Sequence, residues 1–393
     1  MNITNHPDKW VIPWMEDDPG LTAPELWTNR TLRHAIDARA YNATGLLGIH
    51  WRTRAVSPQV AAMHGFSWDP ERDSLAFWGE WALGQFGPSA STAAAAVFSG
   101  IDSFDTPRPV NWRTGPGTLA ADGGQCAAAS GPTYAFVDAF EQLRALVALD
   151  IANGDADLNN LERFDYWAAS FEYMRGIARF ECDWAAYNAE LAAVQKIADR
   201  GAQIAAAQGP LMGARASLVA NASRMMWAHL SRVSSLGDLG TITNVLSQSV
   251  VNVLGDGATA TLLQLANLTA LPDGAAVPRV FDPAGAPLLR VNVVRGILTA
   301  GEPFRVEAFV LASAEQAAGA ALTLFTAPVG GSAWSPTPMA RVLAGRAVFS
   351  ATVTGAAVAD DFQWYIAAAL PSPVATLVFP PTAPDSPQFV AVV

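Results

Sequence analysis

The chain is poor in the features that mark several large classes of protein. Its 393 residues include only two cysteines and 15% charged residues, and acidic residues outnumber basic ones to give a net charge of −11. There is no cluster of Lys and Arg, and an acidic surface repels phosphate backbones, so nucleic acid is not an expected partner. No apolar run reaches the roughly 20 residues that a membrane-spanning helix needs. The first residues also lack the basic and apolar regions of a signal peptide.

Hydrophobic residues, in contrast, are abundant. They make up 51% of the chain, which argues against global disorder and predicts large buried cores. The length favours two to three domains of roughly 100–200 residues each. Cys126 and Cys182 permit one disulfide, and a pair of free thiols fits the sequence equally well. No pattern typical of a metal site, a phosphate loop or a serine nucleophile is present, so no metal or cofactor is expected.

Five triplets in the chain match the acceptor pattern for N-glycosylation. They begin at Asn2, Asn29, Asn42, Asn221 and Asn267. The number fits a secreted eukaryotic protein, although so short a triplet also arises by chance. We therefore expect an extracellular location. A signal peptide would then lie upstream of Met1, and the chain would be part of a longer protein.

Residues 1–130 have the pattern of a mixed α/β region. Two short apolar runs, at 11–15 and 45–49, flank a helical pattern at 31–41. A strand, a helix and a second strand in this order predict a parallel pair of strands joined by the helix. The remainder of this region is predicted to hold helices at 75–86 and 91–101, and then an irregular stretch rich in Gly and Pro at 105–132.

Residues 131–275 are predicted to form an all-α domain, because apolar residues recur there with a period of 3.6. Asn159 is the predicted N-cap of one helix, with Glu162 as its capping-box partner. Further helices are expected at 184–207 and 211–233, packed antiparallel to their neighbours.

Residues 276–393 switch to a period of two, the spacing of a β-strand. Phe362, Trp364 and Ile366 fall on one face of such a strand, and residues 305–310 alternate in the same way. Clusters of Pro and Gly separate these runs at short intervals. The pattern predicts an antiparallel β-sandwich of the immunoglobulin or fibronectin III kind.

The strongest candidate for a functional site follows the second predicted strand, at His50, Trp51, Arg52 and Arg54. Functional side chains of parallel α/β folds lie at the carboxyl ends of the strands. Arginine donates paired hydrogen bonds to carboxylates or hydroxyls, and tryptophan stacks on the apolar faces of sugars. These residues therefore predict substrate binding. The alternative is structural, with the two arginines paired to acidic residues at 16–18.

Trp14, Glu16, Asp17 and Asp18 follow the first predicted strand in the same way. Glycoside hydrolysis uses two carboxylates that flank the scissile bond, so these residues are candidates for lining a substrate site. A solvated acidic loop is the alternative. Trp112, in the stretch rich in Gly and Pro, is a candidate sugar platform. Three other tryptophans have helical spacing and are predicted core residues: Trp78, Trp81 and Trp167.

Several stretches together resemble a known kind of protein. Residues 10–18, 45–54 and 81–88 resemble the last barrel strands and following helices of large multidomain glycoside-hydrolase-like proteins, which often carry malectin-like or discoidin-like modules. The helix containing Trp81 is similar to one in α-glucuronidases and hexosaminidases. Later segments that fit the same resemblance lie at 161–167, 237–242 and 361–366.

The resemblance implies a fold of three parts: the end of a (β/α)₈-like barrel at 1–130, an all-α domain at 131–275, and a β-sandwich at 276–393. A complete barrel takes about 250 residues, so its early strands, with the catalytic acid and base, would lie upstream or be absent. An upstream segment would also cover the open strand edge. We expect an extracellular glycoside hydrolase acting on glycans. The alternatives are a non-catalytic glycan-binding protein and a structural protein of an extracellular matrix.

Overall fold

The computed structural model describes residues 8–15, 26–51, 54–102, 119–234, 237–277, 286–371 and 376–393. Helices dominate up to residue 277, and β-sheets form the rest of the described chain. The predicted combination of helical and sheet regions is therefore confirmed. Among the described residues, no helix combines the length and the apolar character that crossing a bilayer requires.

The chain begins with a short parallel pair of strands. Strands β1 (Trp10–Val11) and β2 (Gly45–Leu46) pair in parallel, and helix α1 (Thr28–Ala40) lies between them in sequence. This confirms the predicted strand–helix–strand order. The next three helices are α2 (Ser57–Trp68), α3 (Ser74–Phe86) and α4 (Pro88–Asp102).

An aromatic core joins these helices to the middle of the chain. Trp78 and Trp167 are almost completely buried, and Trp81 is buried beside them. The ring of Trp167 meets Trp81 and Phe98 edge-on, with centroids 6.0 and 5.0 Å away. The predicted core role of the three tryptophans is confirmed. This core includes residues on both sides of the predicted domain limit at residue 130, which stays a prediction.

The middle of the chain is helical. Its helices are α5 (Gln125–Ser130), α6 (Ala135–Glu141), α7 (Arg144–Asn153), α8 (Leu158–Gln195), α9 (Arg200–Ala206), α10 (Met212–Ser231), α11 (Asp238–Val245), α12 (Val251–Leu254) and α13 (Asp256–Ala266). A π-helical turn containing Pro210 connects α9 to α10. Helix α5 lies inside the stretch predicted to be irregular, and the disulfide Cys126–Cys182 ties it to α8.

Helix α8 differs from the sequence prediction at its start and in its length. Its N-cap is Asp157, whose side chain accepts hydrogen bonds from the backbone N–H groups of Asn159 and Asn160, so the predicted Asn159 cap is wrong. The helix then continues for 38 residues, through the break predicted before residue 184. A side chain at Gly176 would place its Cβ 3.1 Å from Met225 Cα, so glycine there permits close packing of α8 against α10.

Two sheets form the last part of the described chain. One has the order β3 (Leu288–Val291), β5 (Phe304–Leu311), β9 (Val348–Val353) and β8 (Ala340–Arg341). The other has the order β4 (Ile297–Leu298), β12 (Gln388–Val392), β10 (Phe362–Ala369), β6 (Ala321–Pro328) and β7 (Ser335–Pro338), with β11 (Leu377–Phe379) also paired to β10. Helix α14 (Ala314–Gly319) precedes β6. The pairs are antiparallel except β4–β12.

The two sheets bury their facing side chains in one shared core. Phe362, Trp364 and Ile366 of β10 all lie in it, as the period of two predicts. The ring of Phe304, from the other sheet, lies 5.1 Å from Phe362 and 5.5 Å from Trp364. Burial of side chains of this size contributes about 1.5–3 kcal/mol each, so this core holds the sheets together.

Candidate functional site

The carboxyl ends of β1 and β2 lie side by side. Beyond the paired strands, Trp14 and Ile49 form a further parallel bridge. The Met15 backbone N–H donates to Ile49 O at 2.9 Å, and the Ile49 N–H donates to Pro13 O at 3.0 Å. The residues that follow the two strands are therefore neighbours, as expected for a site built at strand ends.

A pocket of about 400 Å³ lies between the end of β2 and helix α2. We call it the aromatic pocket. It is lined by Met15, Leu46, Leu47, Gly48, His50, Val60, Met63, His64, Ser67 and Trp68. Gly48 permits the close packing at its base, because a Cβ there would lie 2.4 Å from Met15 Cε and 2.9 Å from Met63 Sδ.

Large aromatic side chains are exposed in and around this pocket. Trp68 is 82% exposed and Trp51 is 68% exposed, and Trp14 is also exposed. Trp10 is exposed on the same strand pair, with its indole against Gly45. Contiguous exposed apolar side chains mark surfaces that bind a ligand or a partner. Tryptophan offers a flat apolar face together with a polar N–H.

His64 and Trp68 were not predicted as site residues, although the sequence holds the signal for them. Ala62 and Phe66 lie one turn apart on α2 and are fully buried. Residues two positions further along a helix point about 200° away, so His64 and Trp68 fall on the opposite face. They are also four residues apart, which places both side chains on the same side of the pocket.

Several predicted site residues lie outside the described part of the chain. These are Glu16, Asp17, Asp18, Arg52 and Trp112, together with the glycosylation candidate Asn2. Trp14 lies beside Ile49 at the strand ends, and His50 and Trp51 follow Ile49 directly in sequence; of these three, His50 lines the aromatic pocket. Arg54, the last of the predicted site residues, does not line the aromatic pocket.

Arg54 faces a second cavity, which we call the charged cleft. It has a volume of about 550 Å³ and lies where α8, β3 and β11 meet the segment before α2. Its polar lining residues are Arg54, Ser57, Gln85, Asn159, Glu162, Arg163, Asp165, Ser234, Arg290 and Gln388. Its apolar lining includes Leu161, Trp167, Leu288, Leu289, Leu377, Phe379, Pro380 and Pro381.

Glu162 is the centre of the charges in this cleft. It accepts two hydrogen bonds from Arg54, with Nη1 at 2.7 Å from Oε1. The Arg290 Nη1 lies 3.6 Å from the same Oε1. The Arg54 guanidinium also stacks over the ring of Tyr166, 4.2 Å from its centroid. Among the described residues, Arg54 thus pairs with a carboxylate of α8, and the acidic run at 16–18, the alternative partner that the sequence offered, lies outside them.

The charges in the cleft shift each other's protonation equilibria. Burial alone raises the pKa of Glu162, but the hydrogen bonds and charge of Arg54 outweigh it, so the pKa lies below its usual value. Burial lowers the pKa of Arg290, and the charge of Arg54 adds to that effect, while Glu162 opposes it. Burial raises the pKa of Asp165, which is paired with Arg144. The charged form of Glu162 is therefore favoured in the cleft, whereas burial disfavours the charged form of Arg290.

The predicted glycosylation sites fall into two groups. Asn42 and Asn267 are exposed and adopt the left-handed conformation, with φ of 52° and 53°. Asn29 and Asn221 lie within helices and are partly buried. The Asn221 Nδ2 donates to Asp183 at 2.6 Å, and the Asn29 Nδ2 donates to Asp102 O at 3.4 Å.

Comparison with protein-family models and with curated protein sequences finds no match to the chain. The chemistry open to the two cavities is therefore inferred from their geometry. The aromatic pocket offers tryptophan faces and two imidazoles. The charged cleft offers guanidinium groups together with apolar lining residues. Within the described residues, no group of three or more His, Cys, Asp or Glu side chains is placed to hold a metal ion.

Proposed function

We propose that the chain is part of an extracellular carbohydrate-active protein and that it binds glycans at the aromatic pocket. One observation carries the proposal: the exposed Trp68 lines a pocket at the carboxyl ends of two parallel strands, and the exposed Trp51 directly follows the lining residue His50 in sequence. The C–H faces of a sugar ring stack on indole, and histidine side chains hydrogen-bond to hydroxyl groups. His50 and His64 line the same pocket.

The finer fold assignment belongs to the same proposal. In it, β1, α1 and β2 are the end of a (β/α)₈-like barrel, and the two C-terminal sheets are an accessory β-sandwich. Within the described residues β1 and β2 pair only with each other, which leaves the outer edge of each strand open to a further strand. Ile12, Leu47 and Ile49 of this pair are exposed. Both facts support further strands from an upstream segment of the same protein.

The proposed class of enzyme is a glycoside hydrolase. Hydrolysis of this kind uses two carboxylates, and the described lining of the aromatic pocket contains none. The reaction therefore needs carboxylates from other segments. Glu16 to Asp18 follow pocket residue Met15 directly in sequence. The lack of carboxylates in the described lining also favours a second candidate function, which is glycan binding without hydrolysis.

Titration of tryptophan fluorescence with a panel of neutral oligosaccharides tests the proposal. Trp68→Ala and Trp51→Ala are each expected to lower the affinity for a binding sugar about tenfold, the effect of roughly 1.4 kcal/mol. Phe389→Ala is the matched control, because Phe389 is an exposed aromatic residue of β12. Equal affinity in all three variants, or no binding by any sugar, would contradict the proposal. Product analysis of the same mixtures separates a hydrolase from a binding protein.

A further inference from the structure

The charged cleft has a surplus of positive charge in an acidic protein. Three arginines line it, Arg54, Arg163 and Arg290, against the two carboxylates Glu162 and Asp165. Asp165 is also paired with Arg144, which is not among the lining residues. The chain as a whole carries a charge of −11. A concentration of cations in one cavity of such a chain needs an explanation, because like charges in a partly buried site repel each other.

Within the part of the chain that the structure describes, the hydrogen bonds of the cleft pair only one of these arginines with a carboxylate. Both terminal nitrogens of Arg54 bond to Glu162. The Arg290 side chain donates mainly to uncharged carbonyl groups, at 2.9 Å to Val233 O and 3.1 Å to Ser231 O. Burial and the charge of Arg54 lower the pKa of Arg290. An anion bound in the cleft would offset that repulsion.

Arg163 is the cation best placed to contact such an anion. It lines the cleft and follows Glu162 on α8, but it takes no part in the pairing of Arg54 with Glu162. Within the described residues, it donates one long hydrogen bond, 3.4 Å, to Gly84 O. A guanidinium group has five N–H donors, and its planar fork matches the two oxygens of a carboxylate.

The rest of the lining indicates the body of the ligand. Leu288, Leu377, Phe379 and Pro380 form an apolar part of the lining, which we call the wall. A volume of about 550 Å³ lies within the range of cavities that bind small organic molecules. Amide and hydroxyl side chains complete the lining and suit a few polar substituents.

We propose that the charged cleft is a binding site for a small organic carboxylate. The carboxylate contacts Arg163, and the organic body packs against the wall formed by Leu377, Phe379 and Pro380. This site is separate from the aromatic pocket and does not depend on the function proposed for that pocket.

Calorimetric titration of the whole chain at low salt tests this site. The probes are phenylacetate, cyclohexanecarboxylate and glucuronate, each paired with its uncharged amide, and inorganic sulfate as a bare anion. We expect at least one carboxylate to bind about tenfold or more tightly than its amide, because charge-assisted bonds are roughly twice as strong as neutral ones. Sulfate is expected to bind more weakly, because it has no body to contact the wall.

Arg163→Gln and Arg179→Gln are the matched variants. Arg179 lies on the same helix and pairs with Glu172, and it is not among the residues that line the cleft. We expect Arg163→Gln to weaken carboxylate binding about tenfold and Arg179→Gln to leave it unchanged. Thermal unfolding checks that both variants are folded. Equal binding of carboxylate and amide, an unchanged affinity in Arg163→Gln, equally tight binding of sulfate, or no binding by any carboxylate would each overturn the proposal.

Discussion

Glu162 holds Arg54 with two hydrogen bonds, across 108 residues of sequence. The same carboxylate lies 3.6 Å from Arg290 of β3. One side chain of α8 therefore connects the segment after β2 to the first strand of the sheet region. The three charges are largely buried, with a quarter of the Glu162 side chain exposed. Such a group stabilises the arrangement only while all of its members are present.

Glu162→Gln should destabilise the fold, because it removes the carboxylate that hydrogen-bonds to Arg54 and lies beside Arg290. We expect a loss of about 2–4 kcal/mol in the free energy of unfolding, measured by urea denaturation. The control is Glu302→Gln, which breaks the exposed pair with Arg295 and should cost less than about 1 kcal/mol. Similar losses of unfolding free energy in the two variants would contradict a special role for the buried Glu162.

Removal of the disulfide should lower stability as well. Cys126 and Cys182 are 56 residues apart, and closing a loop of this size restricts the unfolded chain. Cys126→Ala together with Cys182→Ala should reduce the free energy of unfolding by about 2–4 kcal/mol. Alkylation of the unreduced native protein checks the bond itself. Modification of both cysteines by iodoacetamide would show that the thiols are free.

The stability of the protein should depend on pH through Glu181. Burial raises the pKa of this carboxyl to about 7 from a value of 4.5, and the nearby charge of Asp122 adds to the rise, while the hydrogen bond from Ala120 N opposes it. Between these two pH values the folded state keeps a proton that the unfolded state has lost. The contribution of Glu181 to the free energy of unfolding therefore falls as the pH rises from 4.5 to about 7, and it no longer changes above that range.

Glu181→Gln removes this titration and keeps an acceptor for Ala120. Relative to the parent, the variant should gain up to about 3 kcal/mol between pH 4.5 and about pH 8. Urea denaturation of both proteins over that range measures the difference, and the other titrating groups cancel in the comparison. A difference that is constant with pH would contradict the raised pKa.

The acceptor asparagines should differ in glycosylation because their surroundings differ. Oligosaccharyl transfer needs an accessible amide nitrogen, so Asn42 and Asn267, which are exposed turn residues, should be modified in a eukaryotic secretory host. Asn221 and Asn29 donate from that nitrogen within helices and should remain unmodified. Peptide mapping after enzymatic deglycosylation measures each site. Occupancy at Asn221 above that at Asn42 would contradict this order.

Local patterns predicted those parts of the fold that depend on neighbours in sequence. The helix at Ser74–Phe86 and the inward face of β10 follow from period alone. The cap of α8 is an exception, because Asn159 and Asp157 are both good N-cap residues and the sequence offered a capping box for each. The structure forms the box of Asp157 with Asn160, whose side chain accepts from the Asp157 N–H at 3.0 Å and also donates to Gln85 O, 75 residues away.

The site was predicted only in part, for the same reason. Trp14, His50 and Trp51 could be proposed from the sequence because a strand end is a local feature. The role of Glu162 was missed because its partner Arg54 is distant in sequence, and a capping-box pattern offered a local explanation for it. His64 and Trp68 became site residues only when β2 packed beside α2.

The close packing of α8 against α10 should also restrict which residues related sequences carry at the contact. A methyl group at position 176 would meet the backbone of Met225 at 3.1 Å. A relative that replaces this glycine must move the two helices apart or change the residue at position 225. Substitutions at the two positions should therefore be correlated among relatives.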